Sequence, residues 1–152
     1  FLGYTALMKA SAAGWAETVS ILLEYSANTE TRDNDGATAL IHACRNIRKN
    51  TGSVKVLLAA GADPNIRDNE GKTALMSLAE QGRVNVMRAL FKAGADPDIR
   101  DNNGRTALDI LKEHYPQKYD RWIQNAVVKS RQQTLKREDS RRSRRCEPDF
   151  DI

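Results

Sequence analysis

The sequence is short of the residues that organise most small cores. Aromatic side chains fill 6% of its 152 positions, too few for a core built around large rings. There are two cysteines, Cys44 and Cys146. One pair makes no disulfide framework, and no Cys/His spacing suits a metal, so we expect a reducing compartment and no structural metal. No run of 18 apolar residues occurs and no signal-type leader opens the chain, so no membrane segment is expected. The chain begins at Phe1 inside a repeated phrase and without an initiator methionine. We therefore expect a piece excised from a longer polypeptide.

Catalytic chemistry is equally thin. His42 and His114 are the only histidines. His42 lies beside Ile41 on a short predicted helix and reads as a satisfied, partly buried side chain rather than a base. No Ser/His/Asp order matches a nucleophile arrangement, and no glycine-rich loop suits phosphate. The string DNDG at 33–36 hints at a calcium loop, but its twelfth position would be Cys44 rather than Glu. We expect no enzyme, no cofactor, no metal and no small-molecule substrate.

What the sequence has is repetition. A Gly-x-Thr-Ala-Leu phrase starts at Gly3, Gly36, Gly71 and Gly104, in steps of 33, 35 and 33 residues. A second phrase keeps the same beat: LLEYSANTE at 22–30, LLAAGADPN at 57–65 and LFKAGADPD at 90–98. A fixed period of this size marks stacked repeats. Residues 71–98 show what one unit does. Gly71 permits positive φ at a tight turn. Thr73 can cap the following helix through its hydroxyl. Leu75, Leu78 and Ala79 share one helical face, and Gly82 ends that helix. Val86, Met87, Leu90 and Phe91 then follow at helical spacing up to Gly94. The turn-rich segment ADPDIRDNNG leads out as a finger, held extended by Pro97. Two short helices cannot bury both apolar faces alone, so stacked copies must bury them against each other.

These features together resemble the ankyrin repeat family over about residues 1–128. The likeness rests on the period, the Asp-x-x-Gly-x-Thr-x-Leu turn, the Leu-Leu pairs and the Gly-Ala-Asp endings. It implies an all-α solenoid of helix-turn-helix units with β-turn fingers. We expect repeats at about 1–35, 36–68, 69–101 and 102–128, the last as a C-terminal cap, then a basic tail over 129–152. Ala6, Ala39, Ala74 and Ala107 replace the family's proline. Met8, Ile41, Met76 and Asp109 stand where the family histidine often bridges the turn, so that hydrogen bond is expected to be missing. Ser26 replaces a terminating glycine, which predicts a weaker turn. LLAAGADPN also resembles the stretch that asparaginyl hydroxylases modify, at Asn65, though Pro64 departs from the usual aliphatic residue.

Irregular places carry the functional expectations. Two extra residues fall within RNIRKNTG at 45–52, giving a connector with Arg45, Arg48 and Lys49. It reads either as a tolerated surface insertion or as a basic bulge that touches a partner. Trp15 is expected to pack against it; left unburied, it would be a candidate hot spot. In the last unit Tyr119, Trp122, Ile123, Ala126 and Val127 form an apolar stripe suited to a cap. The tail has eight Lys/Arg against five Asp/Glu and so carries +3 of the net +4. RRSRR within it reads as a nuclear import signal, a nucleic-acid contact or a docking peptide, and otherwise as a solvated linker.

The resemblance places partner contacts at the finger tips and the exposed side of the first helices. The tip positions here are Arg32, Asn34, Asp35 and Ala37; Arg67, Asn69, Glu70 and Lys72; Arg100, Asn102, Asn103 and Arg105. Arg32, Arg67 and Arg100 would form a ladder roughly 20 Å long at ~8–10 Å helix spacing. Arginine suits carboxylates, so an acidic partner protein fits. Alternatively each arginine pairs with a neighbouring finger's Asp33, Asp68 or Asp101. The reading is a non-catalytic protein-binding scaffold, cytoplasmic or, through its tail, nuclear. The alternatives are nucleic-acid association through the tail and a targeting or regulatory module of a larger enzyme or bacterial effector.

Overall fold

Thr5, Thr38, Thr73 and Thr106 each hold extended backbone just before a helix. In the computed structural model, which describes residues 3–46 and 51–122, these helices are α1 (Ala6–Ala13), α3 (Ala39–Arg45), α5 (Ala74–Glu80) and α7 (Ala107–His114). Each but the last pairs with a second helix: α2 (Ala16–Glu24), α4 (Gly52–Ala59) and α6 (Val84–Lys92). Helical backbone over 116–122 follows α7, with Pro116 in its first position, where a missing N–H costs nothing. The chain is an all-α repeat solenoid.

Three of the four threonines cap as expected, accepting from the backbone N–H of Met8, Ile41 and Asp109. Thr73 does not: it has the capping backbone geometry, but its hydroxyl accepts no cap bond. The missing turn bond needs two corrections. Asp109 Oδ2 accepts from Thr106 N–H at 3.0 Å and from the Thr106 hydroxyl at 2.8 Å. A carboxylate therefore replaces the imidazole and closes a capping box. Met8 does the same more weakly, its sulfur 3.4 Å from Thr5 N. Ser26 behaves as expected of a glycine substitute: it is the one non-glycine residue with positive φ, at 62°, among the described residues. A side chain there carries left-handed strain.

Packing follows the repeat. The first helices form one layer (α1 on α3, α3 on α5, α5 on α7), and α2 packs on α4 behind it. The core runs between the layers through Met8, Leu40, Leu57, Leu75, Met87, Leu90 and Ile110, all essentially inaccessible. At the C-terminal end Tyr119 and Trp122 pack on this core, with the Trp122 ring 5.0 Å from Phe91. Ile123, Ala126 and Val127 of the predicted stripe lie outside the described residues. At the other end Ala6 and Lys9 are exposed, whereas their counterparts Ala39 and His42 are buried.

Trp15 corrects a packing expectation. It is 63% exposed, at the N-cap of α2. Its counterpart at the start of α6, Arg83, is also exposed. The start of the second helix thus faces solvent in both units.

Candidate functional site

The fingers are built by one residue repeated. Asp33, Asp68 and Asp101 are buried, and each Oδ1 accepts the backbone N–H two and four residues on, at 2.8–3.0 Å. This is the turn chemistry expected of aspartate. The backbone closes each turn as well: Asp33, Asp68 and Asp101 N–H donate to the carbonyls of Ala37, Lys72 and Arg105 at 2.9–3.1 Å.

Each carboxylate then needs a partner for its second oxygen, and the three partners differ. Asp33 Oδ2 meets His42 Nε2 at 2.6 Å, and His42 Nδ1 meets the Tyr4 hydroxyl at 2.8 Å. A neutral imidazole protonated on Nε2 satisfies both contacts, donating to Asp33 and accepting from Tyr4. Asp68 Oδ2 accepts from Arg45. Asp101 Oδ2 accepts from Arg105 at 3.0 and 3.2 Å.

The finger arginines are therefore not the partners of these aspartates, which corrects the expected Arg–Asp pairing. Arg32, Arg67 and Arg100 each turn back to the carbonyl four residues on, Gly36, Gly71 and Gly104, at 2.7–3.2 Å. The second arm of Arg32 reaches Arg67 O, and that of Arg67 reaches Asn102 Oδ1. Each carboxylate is already filled, Oδ1 by the i+2 and i+4 N–H groups and Oδ2 by His42, Arg45 or Arg105.

The asparagines also have structural work. Asn69 donates its backbone N–H to Asp35 O and its Nδ2 to Asn34 O, both at 2.9 Å. Asn102 repeats this on Glu70 O at 3.0 Å and Asn69 O at 2.9 Å. Each finger is thus stapled to the one before it. Asn65 is similarly engaged at both ends of its carboxamide, donating to Gly94 O at 3.1 Å and accepting from Asp96 N–H at 2.8 Å.

The remaining tip positions face outward except Ala37, which is buried. Asp35, Glu70 and Asn103 are exposed, and Lys72 and Arg105 are half-exposed. Lys72 Nζ bridges Glu70 at 3.0 Å and Glu80 at 2.9 Å; Arg105 also reaches Glu113 at 3.6 Å. The Glu80 and Glu70 carboxylates raise the Lys72 pKa, and Lys72 lowers that of Glu70. Between α3 and the Asp33 and Asp68 fingers, Glu70 and Lys72 line a polar groove of about 520 Å³ with Asp35, Arg45, Asp68 and Asn69. Arg48 and Lys49 lie outside the described residues, as does the tail over 129–152, which carries the nucleic-acid expectation.

Acid should undo the fingers. Burial pushes the Asp33 and Asp101 carboxyls up, but donated N–H groups with His42 or Arg105 outweigh it and hold both below the usual range. The Thr106 N–H and hydroxyl likewise hold Asp109 low. These groups bind protons more readily when unfolded. Their stabilisation is therefore complete above the unfolded carboxylate pKa and lost as pH falls through the folded one. The melting temperature should be nearly level from about pH 7 to 5 and fall steeply below about pH 4. Asp101→Asn should melt lower at neutral pH and flatten the acid limb; an unchanged limb would remove Asp101 from this account.

Two family models match the chain. One, described as Ankyrin repeats (3 copies), covers residues 2–68; the other, Ankyrin repeats (many copies), covers residues 57–111. No curated protein matches it. Among the described residues no group of three or more His, Cys, Asp or Glu could hold a metal ion, and no helix is long and apolar enough to cross a membrane.

Proposed function

From the premise that the chain belongs to the ankyrin repeat family, whose repeats mediate protein–protein interaction, we propose a non-catalytic scaffold that binds a partner protein along its fingers and first helices. The observation that carries this reading is the division of labour in the fingers. Asp, Asn and Arg positions that repeat in every unit are spent on the fold. Positions that change from unit to unit, Asp35/Glu70/Asn103 and Lys72/Arg105, reach solvent, whereas Ala37, the counterpart of Lys72 and Arg105, is buried. A stiff frame with variable outward side chains is what preformed recognition requires.

The partner we propose carries carboxylates towards Arg45, Lys72 and Arg105. The pairs that Lys72 makes with Glu70 and Glu80 are partly exposed, and such pairs contribute only ~0–1 kcal/mol. An incoming carboxylate can exchange with them at little cost.

Photo-crosslinkers placed singly at Asp35, Glu70 and Asn103 test the surface against others at Glu17 and Lys92 on the outer helices. In extract from the source cells, the three finger positions should capture one common protein and the outer positions should not. Lys72→Glu should lower that capture about fivefold, the loss of roughly 1 kcal/mol of charge pairing. Equal capture from both faces would overturn the finger assignment; capture undiminished by Lys72→Glu would overturn the acidic partner.

A further inference from the structure

Among the described residues the finger ladder ends without closing. An ideal Cβ on Gly36 would stand 2.5 Å from Asn69 Oδ1, and one on Gly71 2.5 Å from Asn102 Oδ1. On Gly104 it would meet nothing within 4 Å. The same finger offers again the acceptors that its predecessors use. The carbonyls of Asn102 and Asn103 correspond to the Asn34/Asp35 and Asn69/Glu70 pairs that accept from the next asparagine. Among the described residues no donor reaches them. Arg100 donates to Gly104 O at 2.7 Å but, unlike Arg32 and Arg67, to no following finger.

We propose that this edge, formed by Asn102, Asn103, Gly104 and Arg100, is a docking site for an asparagine-bearing turn of a partner protein. The occupant's chemistry is set by the contacts already made between consecutive fingers. Its backbone N–H and side-chain amide donate to two consecutive carbonyls. Its carboxamide oxygen sits over the bare glycine and accepts from the arginine. The interface continues the ladder by one step, as an added strand continues a sheet edge. A second copy of this chain is a poor occupant, because Asn34, Asn69 and Asn102 are all engaged within their own molecule. The site lies at the end of the solenoid, apart from the groove around Lys72.

The probe is a cyclised peptide of residues 66–73, Ile-Arg-Asp-Asn-Glu-Gly-Lys-Thr, which carries one complete finger turn. It is titrated into the full chain to about 10 mM, because a few hydrogen bonds support only about millimolar affinity. Amide chemical shifts should move saturably at Asn102, Asn103, Gly104 and Arg105 and stay still in the Asp33 and Asp68 fingers. A peptide with Ala for its Asn should bind about tenfold more weakly or not at all, the loss of roughly two hydrogen bonds. Gly104→Asn should abolish the shifts by filling the cradle. Asparagine tolerates left-handed backbone, so an unchanged melting temperature shows that the finger persists. Lys72→Glu should leave peptide binding intact, which separates this site from the groove. Absent shifts, shifts spread over other fingers, or shifts undiminished by the Ala peptide or by Gly104→Asn would each overturn the proposal.

Discussion

Gly71→Ala should lower stability by about 3–4 kcal/mol, a large part of the 5–15 kcal/mol typical of a domain. Gly71 has φ 76°, and left-handed backbone costs a residue with a Cβ about 1–2 kcal/mol. The new methyl would also lie 2.5 Å from Asn102 Oδ1, 2.6 Å from Arg67 Nη2 and 2.9 Å from Asn102 N. The two side-chain ends can swing aside. The Asn102 backbone cannot without giving up its 3.0 Å bond to Glu70 O. The Asp101 finger must therefore retreat, and two hydrogen bonds at about 1 kcal/mol each go with it. Gly61→Ala is the control: its φ is 83°, but nothing lies within 4 Å of its Cβ, so it should cost only the backbone strain of about 1–2 kcal/mol. Urea midpoints compare the two. Equal losses would mean that the fingers are not held by close stacking.

His42→Leu should cost about 3 kcal/mol, although leucine suits its buried surroundings. The Asp33 side chain is 2% exposed, and His42 supplies the partner of its second oxygen. Leucine leaves that carboxylate oxygen buried and bare, and removes the acceptor of the Tyr4 hydroxyl. Taking one partner from a buried charged pair costs about 3–5 kcal/mol; a neutral imidazole and the two remaining N–H donors place the expectation at the low end. Tyr4→Phe should cost about 1 kcal/mol in the native background and nearly nothing beside His42→Leu, since its partner is already gone. With His42 absent the Asp33 carboxyl titrates higher, closer to its unfolded value, so Asp33 should contribute less to the acid limb of the melting curve, which flattens. Additive losses in the double mutant would show that the two side chains act separately.

These contacts mark what the sequence could and could not convey. The helical pairs were legible because Leu7, Leu40 and Leu75, and again Leu57 and Leu90, recur with the period, and burial follows the same period. The side-chain partners of the finger aspartates were not. His42, Arg45 and Arg105 stand at three non-equivalent positions, so no periodic search would group them. The recurrence of Asn34, Asn69 and Asn102 is plain in the sequence, but that Asn69 and Asn102 each staple one finger to the one before is visible only once the stack is built. Two other signals were available. Thr106 followed three residues later by Asp109 is a capping pattern. Placing Trp15 in register with Arg83 would have set it on the wet side.

The nearest-neighbour packing of the helix layers bears on how the chain forms during synthesis. Tyr4 reaches only as far as His42, 38 residues on, and the layers contact in succession: α1 with α3, α3 with α5, α5 with α7. No unit must wait for the far end of the chain, so loop closure imposes little delay. Two units emerging from the ribosome already own their mutual interface, and each later one condenses onto a finished surface.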